Sequence, residues 1–94
     1  MTSTNGQSGD FMYKTKAADG KLNICGAKIA KLRLALIPKC SQRALADKLQ
    51  LKGLLFTKNT IQCIESGNRF VTDIELKAIA QVLGVSADEL LTED

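Results

Sequence analysis

Residues 41–67 read SQRALADKLQLKGLLFTKNTIQCIESG. The stretch holds two helix starts. Ser41 and Thr57 each carry a hydroxyl that can accept from the unpaired backbone N–H groups of a first helical turn. After Ser41, Leu45, Ala46 and Leu49 fall on one helical face, and Gly53 can turn the chain in a left-handed conformation. After Thr57, only Ile61 and Ile64 form an apolar stripe, while Lys58, Asn59, Thr60, Gln62 and Cys63 are mostly polar. A helix with so thin a stripe keeps a face free for contact. Ser66-Gly67-Asn68 ends it with turn chemistry.

The same periodicity extends outward. Upstream, Asn23 is placed to cap a helix whose Ile29, Leu32 and Leu36 recur at i, i+3 and i+7. Pro38 stops that helix, because a proline pushes the residue before it out of the α region. Downstream, Thr72 and Glu75 have capping-box spacing ahead of Leu76, Ile79, Ala80 and Leu83, and Gly84 ends the helix. Ser86 and Glu89 repeat that spacing before Leu90 and Leu91. Val71 and Val85 are isolated β-branched residues, too few for a sheet. The expected fold is all-α, with five helices. Residues 21–94 form the domain, and the polar residues 1–20 form a disordered, flexible N-terminal tail. Phe11-Met12-Tyr13 interrupts the tail as a cluster that could dock on the domain.

Composition narrows the function. The chain has 94 residues, enough for one small domain, and a core built from aliphatic residues because only 4% are aromatic. So small a domain gains stability naturally by dimerising. No apolar run is long enough to span a bilayer, and residues 1–10 lack the apolar stretch of a secretory signal. Cys25, Cys40 and Cys63 are odd in number with no CxxC spacing, which points to a reduced cytoplasmic setting with inert thiols. With no His, no paired catalytic carboxylates at a helical spacing, no nucleophile with a base and no phosphate-cradling glycine loop, neither an enzyme, a metal site nor a cofactor is expected.

Charge is segregated. Residues 1–69 hold twelve Lys or Arg against four Asp or Glu, whereas residues 70–94 hold one against six. A polyanionic partner would therefore meet the first three helices. Two short helices joined by a glycine-containing turn also fit a helix-turn-helix. On the helix after Thr57, outward Asn59 and Gln62 offer the paired donor and acceptor that suit adenine in the major groove. Lys58 can reach a guanine edge or a phosphate. The same polar side chains would also serve simple solubility.

Taken in order, Arg33, Ser41-Gln42, Leu45-Ala46, Thr60-Ile61, Ile64-Glu65-Ser66-Gly67 and Leu83-Gly84-Val85-Ser86 with Leu90 resemble the lambda-repressor-like, or XRE, family of helix-turn-helix DNA-binding domains. The resemblance spans residues 23–91. It is similar to a branch with a lengthened segment between the second and third helices, with a Leu54-Leu55-Phe56 turn buried by its own apolar residues.

The resemblance implies a bacterial transcriptional regulator of promoter DNA, read as a repressor, cytoplasmic and nucleoid-associated. It would act as a homodimer on an inverted-repeat operator of double-stranded DNA. Lys58, Asn59 and Gln62 would contact bases, with Cys63 grazing a base or a thymine methyl. Ser41, Gln42, Arg43, Thr57, Asn68 and Arg69 would contact the DNA backbone. Arg33 and Glu65 would form a structural ion pair, and Leu90 and Leu91 would lie at the dimer interface. No small-molecule effector is expected. The alternative is a protein-interaction module, an antitoxin or anti-regulator, working through its acidic end at residues 73–94.

Overall fold

The computed structural model describes residue 17 and residues 19–92. The expected tail, apart from residues 17, 19 and 20, lies outside the described residues, as do Phe11-Met12-Tyr13 and the last two positions. Among the described residues there are five helices and no strand, as the sequence predicts: α1 (Gly26–Ala35), α2 (Gln42–Gln50), α3 (Lys58–Glu65), α4 (Asp73–Leu83) and α5 (Ala87–Leu91). No helix among the described residues is long and apolar enough to cross a membrane.

The caps set the register of each helix. Ser41 Oγ accepts from the Ala44 N–H at 3.0 Å at the start of α2. Thr57 and Thr60 cap α3 reciprocally, each accepting the other's backbone N–H, at 3.3 and 3.1 Å. Thr72 and Glu75 do the same for α4, and Gly84 closes α4 at a φ of 74°, a left-handed value that favours glycine. At α5 only half of the expected box forms. Ser86 accepts from the Glu89 N–H, but the Glu89 carboxylate lies 3.7 Å from the Lys28 ammonium and ties α5 to α1 instead. Asn23 caps α1 from two residues before the N-cap position, its Oδ1 accepting from the Gly26 N–H at 2.8 Å.

The core gathers Ile29 of α1, Leu45, Ala46 and Leu49 of α2, Ile61 and Ile64 of α3, Ile79 and Leu83 of α4, and Leu90 of α5. Each large aliphatic side chain removed from water contributes roughly 1.5–3 kcal/mol. Ala46 occupies a contact where α2 packs extensively on α3, and its small side chain lets the two helices approach. The inward positions read from the sequence stand for the rest of these faces, with Leu32, Leu36 and Leu76 only partly buried against the core; α1 ends at Ala35, so Leu36 packs from beyond the helix and not on it.

Two further expectations need correction. Leu90 is fully buried within its own chain and offers no surface to a second copy, leaving only the partly exposed Leu91 of that pair. In the Leu54-Leu55-Phe56 turn, Phe56 is buried and Leu54 packs on the core, but Leu55 is 94% exposed. The segment is neither helix nor strand, and Leu54 and Phe56 turn to the core while Leu55 between them turns to solvent.

Candidate nucleic-acid interface

α2 packs on α3, and the starts of the two helices, at Arg43 and Lys58, border the same grooves. The first N–H groups of any helix lack intrahelical acceptors, and the peptide dipoles leave partial positive charge there. At α4 and α5 the chain answers that charge with Asp73, Glu75, Asp88 and Glu89 in the first turns. At α2 and α3 the first turns hold no acidic residue. Cations stand there instead.

An open groove of about 640 Å³ runs along the start of α2, lined by Leu34, Lys39, Ser41, Gln42, Arg43 and Lys58 among others. A second, of about 210 Å³, continues between α2 and α3 and is lined by Arg43, Asp47, Gln50, Thr57 and Lys58. Arg43 and Lys58 line both. Five of the residues expected at the DNA backbone or bases are thus gathered at one seam: Ser41, Gln42, Arg43, Thr57 and Lys58. Asn59, Gln62 and Cys63 follow along α3, all exposed. Lys39 was missed by the sequence reading. Its signal was a cation two residues before a helix cap, where it adds to the positive end of α2.

Behind the seam sits a buried ion pair. Arg33 Nε donates to Glu65 Oε2 at 2.8 Å and one terminal nitrogen donates to Glu65 Oε1 at 3.0 Å, while the other reaches the Cys40 carbonyl at 2.8 Å. The two side chains are 9% and 8% exposed. Hydrogen bonding to Glu65 outweighs desolvation and holds the Arg33 guanidinium protonated more firmly than an ordinary arginine. The pair ties the last turns of α1 and α3 together and is structural, in the form the family resemblance implies. Gln42 joins it, donating from Nε2 to Glu65 Oε1 at 3.0 Å. One of its side-chain N–H groups is therefore engaged inside the protein, while Gln42 also lines the groove.

The far end of α3 differs. Arg69 donates to both carboxylate oxygens of Glu75 at 3.0 Å and to the Phe70 carbonyl at 2.9 Å, and lies over the Phe56 ring at 5.1 Å. Glu75 neutralises its charge, so Arg69 is a fastener between α4 and the 54–57 segment rather than a free cation. The side-chain hydrogen bonds with Arg69 hold the Glu75 carboxyl below its ordinary pKa. Asn68 is exposed at the turn, its backbone N–H bonded to the Cys63 carbonyl at 2.9 Å. Neither residue joins the seam at the α2 and α3 N-termini.

Neither protein-family models, curated proteins nor solved structures yield a match. Among the described residues no group of three or more His, Cys, Asp or Glu could hold a metal ion. Cys25 and Cys40 are buried, burial pushing the Cys25 thiol up, and Cys63 is exposed on the free face of α3.

Proposed function

We propose that this protein is a sequence-specific, double-stranded-DNA-binding transcriptional regulator, acting as a repressor by occupying promoter DNA and reading the major groove with α3. The observation that carries this reading is the seam. Two adjacent helix N-termini free of acidic residues are lined by Lys39, Arg43 and Lys58, beside a capped helix with exposed Asn59 and Gln62. An α-helix fits the major groove, and helix N-termini with nearby cations suit the phosphates that flank it. Lys58, Asn59 and Gln62 take the base-reading role. Ser41, Arg43, Thr57, Lys39 and the Gln42 backbone take the phosphates.

A single short helix reads few bases, so a homodimer on an inverted repeat with half-sites about 34 Å apart supplies the needed specificity. The reading goes with a cytoplasmic, nucleoid-associated protein in the lambda-repressor-like family.

The test is selection from random duplex DNA, with the intact protein beside an Asn59→Ala/Gln62→Ala variant. Enrichment of an inverted repeat by the intact protein alone supports the reading. Binding should also weaken with salt, with a log–log slope near −0.9 per phosphate neutralised.

One observation favours a second reading, a module that binds another protein. Leu51, Leu55, Phe70 and Ile74 are large apolar side chains left exposed, a liability in a free monomer and an asset at a protein interface. Absence of sequence enrichment even at low salt, with the protein folded, would favour that alternative.

A further inference from the structure

Asn23 lies outside the seam and takes none of the DNA-contacting roles proposed above. Its carboxamide is nonetheless fully used. Nδ2 donates to the carbonyl oxygens of Ile64 at 3.0 Å and of Arg69 at 2.8 Å. Oδ1 accepts from the Gly26 N–H at 2.8 Å and from the Cys25 thiol at 3.8 Å. A carboxamide has two N–H donors and one oxygen with two acceptor positions, and all four have partners here. Its orientation is dictated by those partners, since a reversed amide would set its oxygen against two carbonyls.

These partners come from separate places. Gly26 opens α1, Ile64 is in the last turn of α3, and Arg69 lies beyond the turn that leads towards α4. Three further contacts fasten the same region. The Leu22 N–H donates to the Gly67 carbonyl at 2.9 Å. A side chain at Gly26 would overlap the Ile64 carbonyl oxygen, so α1 begins against the end of α3 at a separation only glycine allows. Gly67, at a φ of 82°, lies under the Lys21 side chain, whose methylene carbons would meet any added Cβ. Residues 21–26 thus form a strap across the C-terminal end of α3.

We propose that Asn23 is a positioning residue for α3: by clamping the Ile64 and Arg69 carbonyls to the start of α1, it sets the angle at which Lys58, Asn59 and Gln62 are presented. An eight-residue helix is about 12 Å long. Thr57 holds one end, Ile61 and Ile64 hold the underside, and at the other end Asn23 with its strap works beside the Arg33–Glu65 pair, which grips the Glu65 side chain but not the Ile64 and Arg69 backbone. Loosening that backbone lets the end of the short rod shift, and base contacts demand placement within about 0.5 Å. The importance of Asn23 for base readout rests on the DNA-binding reading above; its grip on α3 does not.

Asn23→Asp separates the clamp from the cap. Aspartate caps a helix about as well as asparagine, so the acceptor for the Gly26 N–H is kept. The lost Nδ2 is replaced by a carboxylate oxygen facing two carbonyls. Native-state hydrogen exchange is the first readout. The Ser66, Gly67 and Asn68 amides, which donate to the Gln62, Ile64 and Cys63 carbonyls, should exchange about tenfold faster, while Leu45 and Leu49 in α2 stay protected.

The second readout uses the duplex selected by the intact protein. The ratio of affinity for that duplex over a scrambled one should fall about tenfold with the salt slope unchanged. A merely stabilising residue lowers both affinities together and leaves the ratio alone. Unchanged exchange at residues 66–68, or acceleration spread evenly over α2 and α4, overturns the clamp. Faster exchange with an unchanged ratio overturns the positioning of readout. If the intact protein selects no duplex, the DNA-binding reading fails, taking readout positioning with it, and exchange alone decides the clamp. Should Asn23→Asp not fold, Asn23→Ser also caps but cannot donate to both carbonyls, and takes its place.

Discussion

Replacing Glu65 by alanine should be among the most damaging single changes in this domain. The substitution leaves the Arg33 guanidinium, about nine-tenths buried, with only the Cys40 carbonyl as partner, and strips the Gln42 amide of its acceptor. Breaking a buried ion pair from one side costs roughly 3–5 kcal/mol, because the remaining charge stays desolvated. Small domains hold only about 5–15 kcal/mol in total, and each kcal/mol moves the melting temperature of a domain this size by roughly 4–8 °C. A drop of at least about 12 °C is therefore expected. The assay is urea unfolding followed by far-ultraviolet circular dichroism, with thermal melts alongside. An Arg33→Met/Glu65→Leu double variant is the control: replacing both charges with apolar groups of similar size removes the stranded charge, and the double should be more stable than Glu65→Ala by about 2 kcal/mol or more. A loss under about 1 kcal/mol in Glu65→Ala, as expected for an exposed pair, would refute the reasoning.

Other outcomes follow from the same contacts. Glu75, whose pKa is lowered by Arg69, contributes stability that is complete above its unfolded-state pKa and is lost as pH falls through its lower folded-state value. Urea midpoints measured from neutral to acid pH should therefore fall less steeply in Glu75→Gln than in the wild type. Gly26→Ala should destabilise by roughly 1–3 kcal/mol, because its methyl group meets the Ile64 backbone oxygen. Gly53→Ala, with open space around it but a φ of 91°, should show only left-handed strain of about 1–2 kcal/mol; equilibrium unfolding of the two variants, beside an exposed control, separates clash from strain. Lys58→Gln should weaken binding to the selected duplex and reduce the log–log salt slope by about 1, whereas Lys77→Gln on α4 should leave the slope unchanged, as fluorescence anisotropy titrations would report.

Much of the architecture was legible because it is local. A hydroxyl at a helix start competes for N–H groups three residues away, so Ser41, Thr57, Thr72 and Ser86 announced their helices. Apolar spacing then named the inward faces of α2, α3 and α4. Local spacing failed where a distant charge competed. Glu89 has capping-box spacing from Ser86, yet Lys28, far away in sequence, attracts its carboxylate. Arg69 stands in sequence as a free cation beside α3, and only the folding of α4 brings Glu75 to it. Asn23 was expected as a cap, and that much was local; its two bonds across to residues 64 and 69 were not.

What the sequence by itself determined is the set of helices, their inward faces, and the division of the chain into a basic front and an acidic end. Those properties are set by interactions within a turn or two of helix and by which side chains water rejects. What only the tertiary structure decided is which polar groups remain available. It joins the N-termini of α2 and α3 into one cation-lined seam, spends the side chains of Gln42 and Arg69 on internal carboxylates, buries Leu90, and turns Leu55 outward. The reason is that a charge or a donor is satisfied by whatever lies within about 3 Å, and residues that close are chosen by the packing of helices rather than by their separation along the chain.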